Sequence, residues 1–309
     1  MARNKQDKTI RQMTFAEWDA AFPDEDACCA YLVGHRWPEG VACPRCGNVK
    51  VTPSGGKPWN WECYECDPNG KSYRFSHIVG TIFENTNKPL RDWFRVIHLM
   101  LTSKKGISAL QIHRMLGFGS YRTAWYMCMR IRGALANEDF QKLMGIVEVD
   151  ETWVGGKAAN RHIGKRGGGK GGGGGGTASG KAAVAGGVQR KGNVVARVVE
   201  NVRSSTLTNF VREAISTKVS LVCTDASNSY QYLGQHFPHG SVDHRRGEYV
   251  VGAIHTNTIE GFWSLVKHGM VGTFHKVSHK YLPLYVAEFQ FRYNNRQNPD
   301  IFGEAIKGC

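Results

Sequence analysis

The chain of 309 residues, 41% of them hydrophobic, is long enough for two or three domains with buried cores. Forty Lys and Arg against 26 Asp and Glu give a net charge of +14, which favours polyanions, nucleic acid first, over acidic small molecules; a basic protein with no polyanionic ligand is the competing reading. No stretch reaches the roughly 18 uninterrupted apolar residues of a membrane span, and the opening MARNKQDKTIRQM lacks a signal peptide's apolar core, so a cytoplasmic protein is expected.

In chain order, DEDACCAYLVGHRW reads as a short helix opened by acidic residues, with Cys28 and Cys29 as packing groups. Nine cysteines, an odd number without an export signal, argue against a disulfide framework. Four of them form a pattern: CPRC supplies Cys43 and Cys46, and CYEC supplies Cys63 and Cys66, with residues 47–62 between the pairs. This is zinc-ribbon spacing, two thiolate knuckles that complete a tetrahedral shell for Zn2+. Four protein ligands leave no open position, so the metal is expected to be structural; redox-active or merely buried thiols are the alternative. GN after Cys46 and DPNG after Cys66 supply turn residues. Trp59 and Trp61 stand at strand spacing and are expected to cover the small core rather than stack on bases.

From Pro89, apolar residues at Leu90, Trp93, Phe94, Ile97, Met100 and Leu101 predict an amphipathic helix ending by Gly106. A second helix is capped by Ser108, a turn spans Gly117–Gly119, and a third helix is capped by Ser120, the layout of a helix-turn-helix. Tyr121 and Arg122 at the start of that third helix are candidates for base contact, and Arg130 and Arg132 for phosphate contact. A plain packing hairpin would look the same. Next, the tract Gly164–Lys181 is too rich in glycine to build a core and reads as an expanded loop rather than a phosphate-binding motif.

Periodicity changes from Gly145. GIVEVDETWVGG alternates, KAAVAGGVQRKGNVVARVVENV reads as two strands joined at KGN, SSTLTNFVREAIS as a helix, and SLVCTDAS as a short buried strand. The order argues for a mixed α/β sheet. Asp150 and Asp225 punctuate apolar strands, where a carboxylate is expensive without a partner such as a metal; solvated strand ends are the alternative. Glu148 shares the face of Asp150 and is a possible further acid or a structural one, and Glu151 points the other way. Glu260 opens a helix that places Ser264 and Lys267 on its own face, with Phe262, Trp263 and Val266 largely opposite. Three acids suit phosphodiester chemistry with Mg2+, although a solvated helix face would show the same Glu260–Lys267 spacing.

These motifs together, the ribbon, GISALQIHRMLGFGSYRTAWYMCMRIR, VEVDETWVGGK, TDASNSY and HTNTIEGFWSLVKHGMVGTFHKVS, resemble the DDE-type bacterial insertion-sequence transposases of the IS fifteen-ninety-five (ISXO-two-like) group over essentially the whole chain. The resemblance implies a multidomain α/β protein: a zinc-ribbon domain over 1–88, a helical, helix-turn-helix-like DNA-binding segment over 89–143, and a ribonuclease H-like catalytic domain over 144–309 that carries the Gly-rich insertion 164–181. It implies Asp150, Asp225 and Glu260 as catalytic ligands of Mg2+ or Mn2+, Lys267 as a basic residue of the site, and Asn257 as an auxiliary ligand or positioning group. His255 and His244 stay open between phosphate contact and a structural role.

The implied function is a DNA transposase. It would bind the terminal inverted repeats of its insertion sequence and the target DNA, free a 3′-OH by Mg-dependent cleavage, and transfer that end into the target. Synapsis of two ends implies a homo-oligomer, and a bacterial setting implies a cytoplasmic protein associated with the nucleoid when bound to DNA. A non-catalytic repressor derived from such an element, or a ribonuclease H-like nuclease that does not join strands, are the alternatives.

Overall fold

Capping sets where the first helices begin in the computed structural model, which describes residues 14–66, 70–136, 141–155, 180–243, 246–247 and 250–309. The Thr14 hydroxyl accepts from the Glu17 backbone N–H, and the Glu17 carboxylate accepts from the Thr14 N–H at 2.8 Å, a capping box that starts α1 (Phe15–Ala21). Asp24 accepts from the Ala27 N–H at 2.8 Å and starts α2 (Glu25–Arg36), whose Cys28 and Cys29 are buried as expected. The expected turn at Asp67, Pro68 and Asn69, His244, and Gly164–Thr177 with the rest of the tract to residue 179 lie outside the described residues.

The chain divides into two compact units, residues 1–135 with 297–309, and residues 136–296. In the first, β1 (Thr52–Pro53), β2 (Asn60–Cys63) and β3 (Tyr73–Ser76) form a three-stranded antiparallel sheet. Trp61 stacks on Phe75 and meets Trp37 edge-on, closing a small core around Cys43 and Cys63. Trp59 departs from the expected strand spacing. It sits before β2 in the left-handed backbone region, and its indole N–H donates to Asp26.

The helical part of this unit contains α3 (Leu90–Thr102), α4 (Ala109–Leu116) and α5 (Tyr121–Ala134). Pro89 offers no cap to α3, and the Glu25 carboxylate of α2 takes that role by accepting from the Leu90 and Arg91 N–H groups. Ser108 and Ser120 cap α4 and α5 as expected, and Gly117 ends α4 in the left-handed conformation (φ 64°, ψ 29°). Residues 297–309, grouped on sequence with the acidic segment, cluster with this unit instead. The cause is burial: Phe302, on the last helix Ile301–Lys307, packs its ring against Phe22, Tyr31 and Phe94.

The second unit is a five-stranded mixed sheet of β4 (Ile146–Val154), β5 (Ala182–Gln189), β6 (Val194–Val199), β7 (Leu221–Asp225) and β8 (His239–Val242), in the order β6-β5-β4-β7-β8. β5 pairs antiparallel with both β4 and β6, while β7 runs parallel to β4 and β8 parallel to β7. Alternation sorts the faces of β4. Val147 and Val149 join Leu207, Phe210 and Val211 of α6 (Ser204–Ala214) in one core. Glu148 and Asp150 therefore face the other side, towards α7 (Asn257–Gly269).

The β6 edge is covered by α8 (Leu282–Asn294). Gln290 accepts from the Ala196 N–H, and Asn294 both accepts from and donates to the Val194 backbone. Two carboxamides one helical turn apart thus replace a missing strand partner. Among the described residues no helix is long and apolar enough to cross a membrane.

Candidate active site and thiolate centre

Cys43, Cys46, Cys63 and Cys66 bring their sulfur atoms within 4.8 Å of one another. The Sγ separations are 3.8 Å for Cys43–Cys66 and 3.6 Å for Cys46–Cys63. A tetrahedral shell with Zn–S bonds of about 2.3 Å has sulfur atoms about 3.8 Å apart, so these side chains fit Zn2+ as they stand. Burial raises the Cys43 thiol, but the Cys46 and Arg45 backbone N–H groups of the knuckle outweigh it and bring the group down to about 7. Cys66 moves the opposite way, pushed up to about 12 by burial first and then by the neighbouring thiols, so of these two groups Cys43 gives up its proton first.

In the second unit, Asp150 lies on β4, Asp225 ends β7, and Glu260 lies in the first turn of α7. β4 and β7 pair with Glu148 beside Cys223, and the same offset carried two residues on sets Asp150 level with Asp225. Their charges interact. Burial first, then the charge of Glu151, then those of Asp225 and Glu260, push the Asp150 carboxyl up to about 7, against a lowering contribution from the Glu151 backbone N–H. Glu151 itself is raised by burial and by Asp225, while the buried Tyr230 hydroxyl, which donates to it at 2.5 Å, works the other way.

The helix that carries Glu260 is held from β4. Glu148, fully buried, accepts from the Thr258 N–H at 2.7 Å, the Ile259 N–H at 3.1 Å and the Thr258 hydroxyl at 2.9 Å. A strand carboxylate thus caps the N-terminus of α7, whose own N-cap residue, Thr256, makes no side-chain cap. Arg190 donates to Glu148 at 2.6 Å and to the carbonyls of Ala253 and His255, tying down the chain that leads into α7. His255 places Nδ1 3.1 Å from Glu148, which gives it a structural setting.

Close packing completes the placement. Gly186 pairs with Asp150 across β4 and β5, and a Cβ on it would stand 2.5 Å from the Trp263 ring. Glycine at that strand position is what lets α7 lie on the sheet beside Asp150. Ile259, Phe262, Trp263 and Val266 are buried, whereas Asn257, Glu260, Ser264 and Lys267 are exposed on the opposite stripe. The Thr256 hydroxyl donates to Glu260 at 2.8 Å. Sequence reasoning passed over Arg190, read only as the end of a strand run before the KGN turn, and Tyr230. Gly186 carried a signal, a glycine inside an apolar strand run.

The candidate DNA contacts separate by exposure. Tyr121 and Arg122 are exposed at the start of α5. Arg130 is half-buried; both of its terminal nitrogens donate to the Glu84 carbonyl, and its guanidinium lies over the Trp93 and Tyr126 rings. Arg132, expected among the phosphate contacts, is 1% exposed, so its guanidinium is shut inside the helical core and is unavailable to DNA.

A tetrathiolate ribbon with helices in one unit, and an acid cluster on a mixed sheet in the other, define a modular metal-binding α/β protein. Residues 142–294 match the ISXO2-like transposase domain, and residues 23–69 match the transposase zinc-ribbon domain. The chain is also 28% identical over 283 residues, 88% of its length and 91% of the relative's, to an "Uncharacterized protein in transposable element ISH50" of Halobacterium salinarum (strain ATCC 700922 / JCM 11081 / NRC-1). The chain belongs to the ISXO2-like family of insertion-sequence transposases with an N-terminal zinc ribbon.

Proposed function

We propose that this transposase binds the terminal inverted repeats of its insertion sequence, cleaves there to free a 3′-OH, and transfers that end into target DNA. The carrying observation is the group of acids around the half-buried Asp150, whose carboxyl is pushed up to about 7 by desolvation first and then by the charges of Glu151, Asp225 and Glu260. A protein that concentrates like charges in a desolvated place does so at a cost, and a cation relieves it. Acids on a first strand, an adjacent parallel strand and a following helix support a ribonuclease H-like DDE site.

Asp150, Asp225 and Glu260 would hold Mg2+ or Mn2+, which take carboxylate oxygens. When bound, such ions supply activation of the attacking oxygen and charge stabilisation at the leaving oxygen. Glu148 and Arg190 position Glu260 by fixing the start of α7. Asn257, one turn before Glu260 on the exposed stripe, serves as auxiliary ligand or positioning group, and Lys267 holds a DNA phosphate.

Water attacks the phosphodiester at the element's end and displaces its 3′ oxygen, which leaves as a hydroxyl; that 3′-OH then attacks a target phosphodiester and displaces a target 3′-OH. Tyr121 and Arg122 contact the terminal repeat, and the net charge of +14 supplies salt-sensitive binding to the backbone. Joining two ends calls for at least a dimer. The test is an incubation of labelled element ends and target plasmid in Mg2+ with wild type and Asp225→Asn. Metal-dependent cleavage and joined product are expected from wild type only, with end binding retained in the variant. Binding without cleavage by wild type contradicts the enzyme reading, and cleavage without joined product favours a nuclease.

A further inference from the structure

Within the first unit, the segment Glu84–Lys88 and one side of α5 enclose an open groove of about 680 Å3. That volume falls in the range of roughly 300–1,000 Å3 typical of small-molecule sites. Lys88, Arg122 and Arg130 line it together with Trp125 and Tyr126, and the acid of the lining, Glu84, has its carboxylate engaged by the Gly80 N–H at 2.9 Å. The cations are arranged differently. Arg130 is pinned by the Glu84 carbonyl with its guanidinium 5.5 Å from the Tyr126 ring centroid, whereas Arg122 is exposed and meets no carboxylate among the described residues.

Tyr126 is 55% exposed, a large ring left open to solvent beside a fixed guanidinium. Aromatic and guanidinium planes next to a free cation are the chemistry that holds an unstacked base and its phosphate. A base pair inside a duplex offers only its edges, and a concave site can enclose a base only after that base has left the stack. Asn85 also lines the groove, and its exposed carboxamide can bond to a base edge.

We propose that this groove receives one unstacked nucleotide of the bound DNA, its base against Tyr126 and its phosphate on Arg122 and Lys88. The inference rests on the reading of the ribbon and helical unit as the part that binds the element's ends. Its test measures affinity, by fluorescence anisotropy, for a duplex of the terminal repeat and for the same duplex with a single unpaired dT moved through successive positions. At one position the unpaired dT is expected to tighten binding by wild-type protein about tenfold, the size of one base–aromatic stack.

That gain is expected to vanish in Tyr126→Ala, with binding of the perfect duplex and the melting temperature unchanged. Arg122→Gln, also at an exposed position, should reduce the gain and weaken binding to the perfect duplex as well. No tightening at any position, or an equal loss for perfect and bulged duplexes in Tyr126→Ala, would overturn the inference while leaving end binding intact. Failure of wild-type protein to bind the perfect duplex would overturn the end-binding reading and this inference with it.

Discussion

The Asp150 carboxyl is raised by desolvation first and then by the acids around it. Its folded value of about 7 stands above the ordinary 3.8, so between those values the folded chain holds a proton that the unfolded chain has released. The stability this confers is present below the unfolded value and is lost as pH rises through 7. Asp150→Asn is therefore expected to melt several degrees above wild type at pH 8 in EDTA and close to it at pH 4, by calorimetry. A lower melting point for the variant at pH 8 would contradict the account. Glu148 has the opposite character, because its charge is buried but matched by Arg190 and by the α7 N–H groups. Removing one member of such a set leaves the others unpaired, so Glu148→Ala should cost about 3–5 kcal/mol in urea unfolding. A loss under about 1 kcal/mol would show that α7 does not depend on this cap.

At the scale of elements, the approach of α7 to the sheet sets where Glu260 stands. Gly186→Ala would put a methyl group into the space of the Trp263 ring, and overpacking of that kind costs about 1–3 kcal/mol. Cleavage should fall at least tenfold while binding of element ends holds, a split read by running both assays on one preparation; equal loss of both would point to global unfolding instead. The same helix shows what sequence can and cannot supply. Its buried stripe of Phe262, Trp263 and Val266 and the outward Glu260 and Lys267 were legible from period alone. So were β4, β7, the α6 face and the serine caps of α4 and α5, because each follows from local patterning. The short strand β8 was not, since HGSV has no alternation to read and pairs only because β7 offers it an edge. Nor were the Glu148–Arg190 cap and the burial of Arg132, because both depend on partners remote in sequence or on packing that a helix's own residues do not announce.

For the molecule as a whole, the ribbon's fit to Zn2+ and the cation site proposed for the second unit can be tested separately. The four thiols of the ribbon surround a space sized for Zn2+, and the small core around Cys43, Cys63 and Phe75 is too slight to hold alone. A strong thiol-competing chelator should release about one Zn2+ per chain and abolish end binding, while the second unit keeps its far-ultraviolet dichroism. End binding that survives complete zinc loss would remove the ribbon from the DNA-binding role. The central claim concerns the other unit: the proposal that Asp150, Asp225 and Glu260, carried on β4, β7 and α7, together hold the catalytic cations. Mn2+ binding followed by electron paramagnetic resonance tests it most directly, comparing wild type with Asp150→Asn, Asp225→Asn and Glu260→Gln in protein whose ribbon is zinc-loaded. The account predicts that each substitution alone weakens Mn2+ binding at least tenfold; wild-type affinity in Glu260→Gln would contradict it.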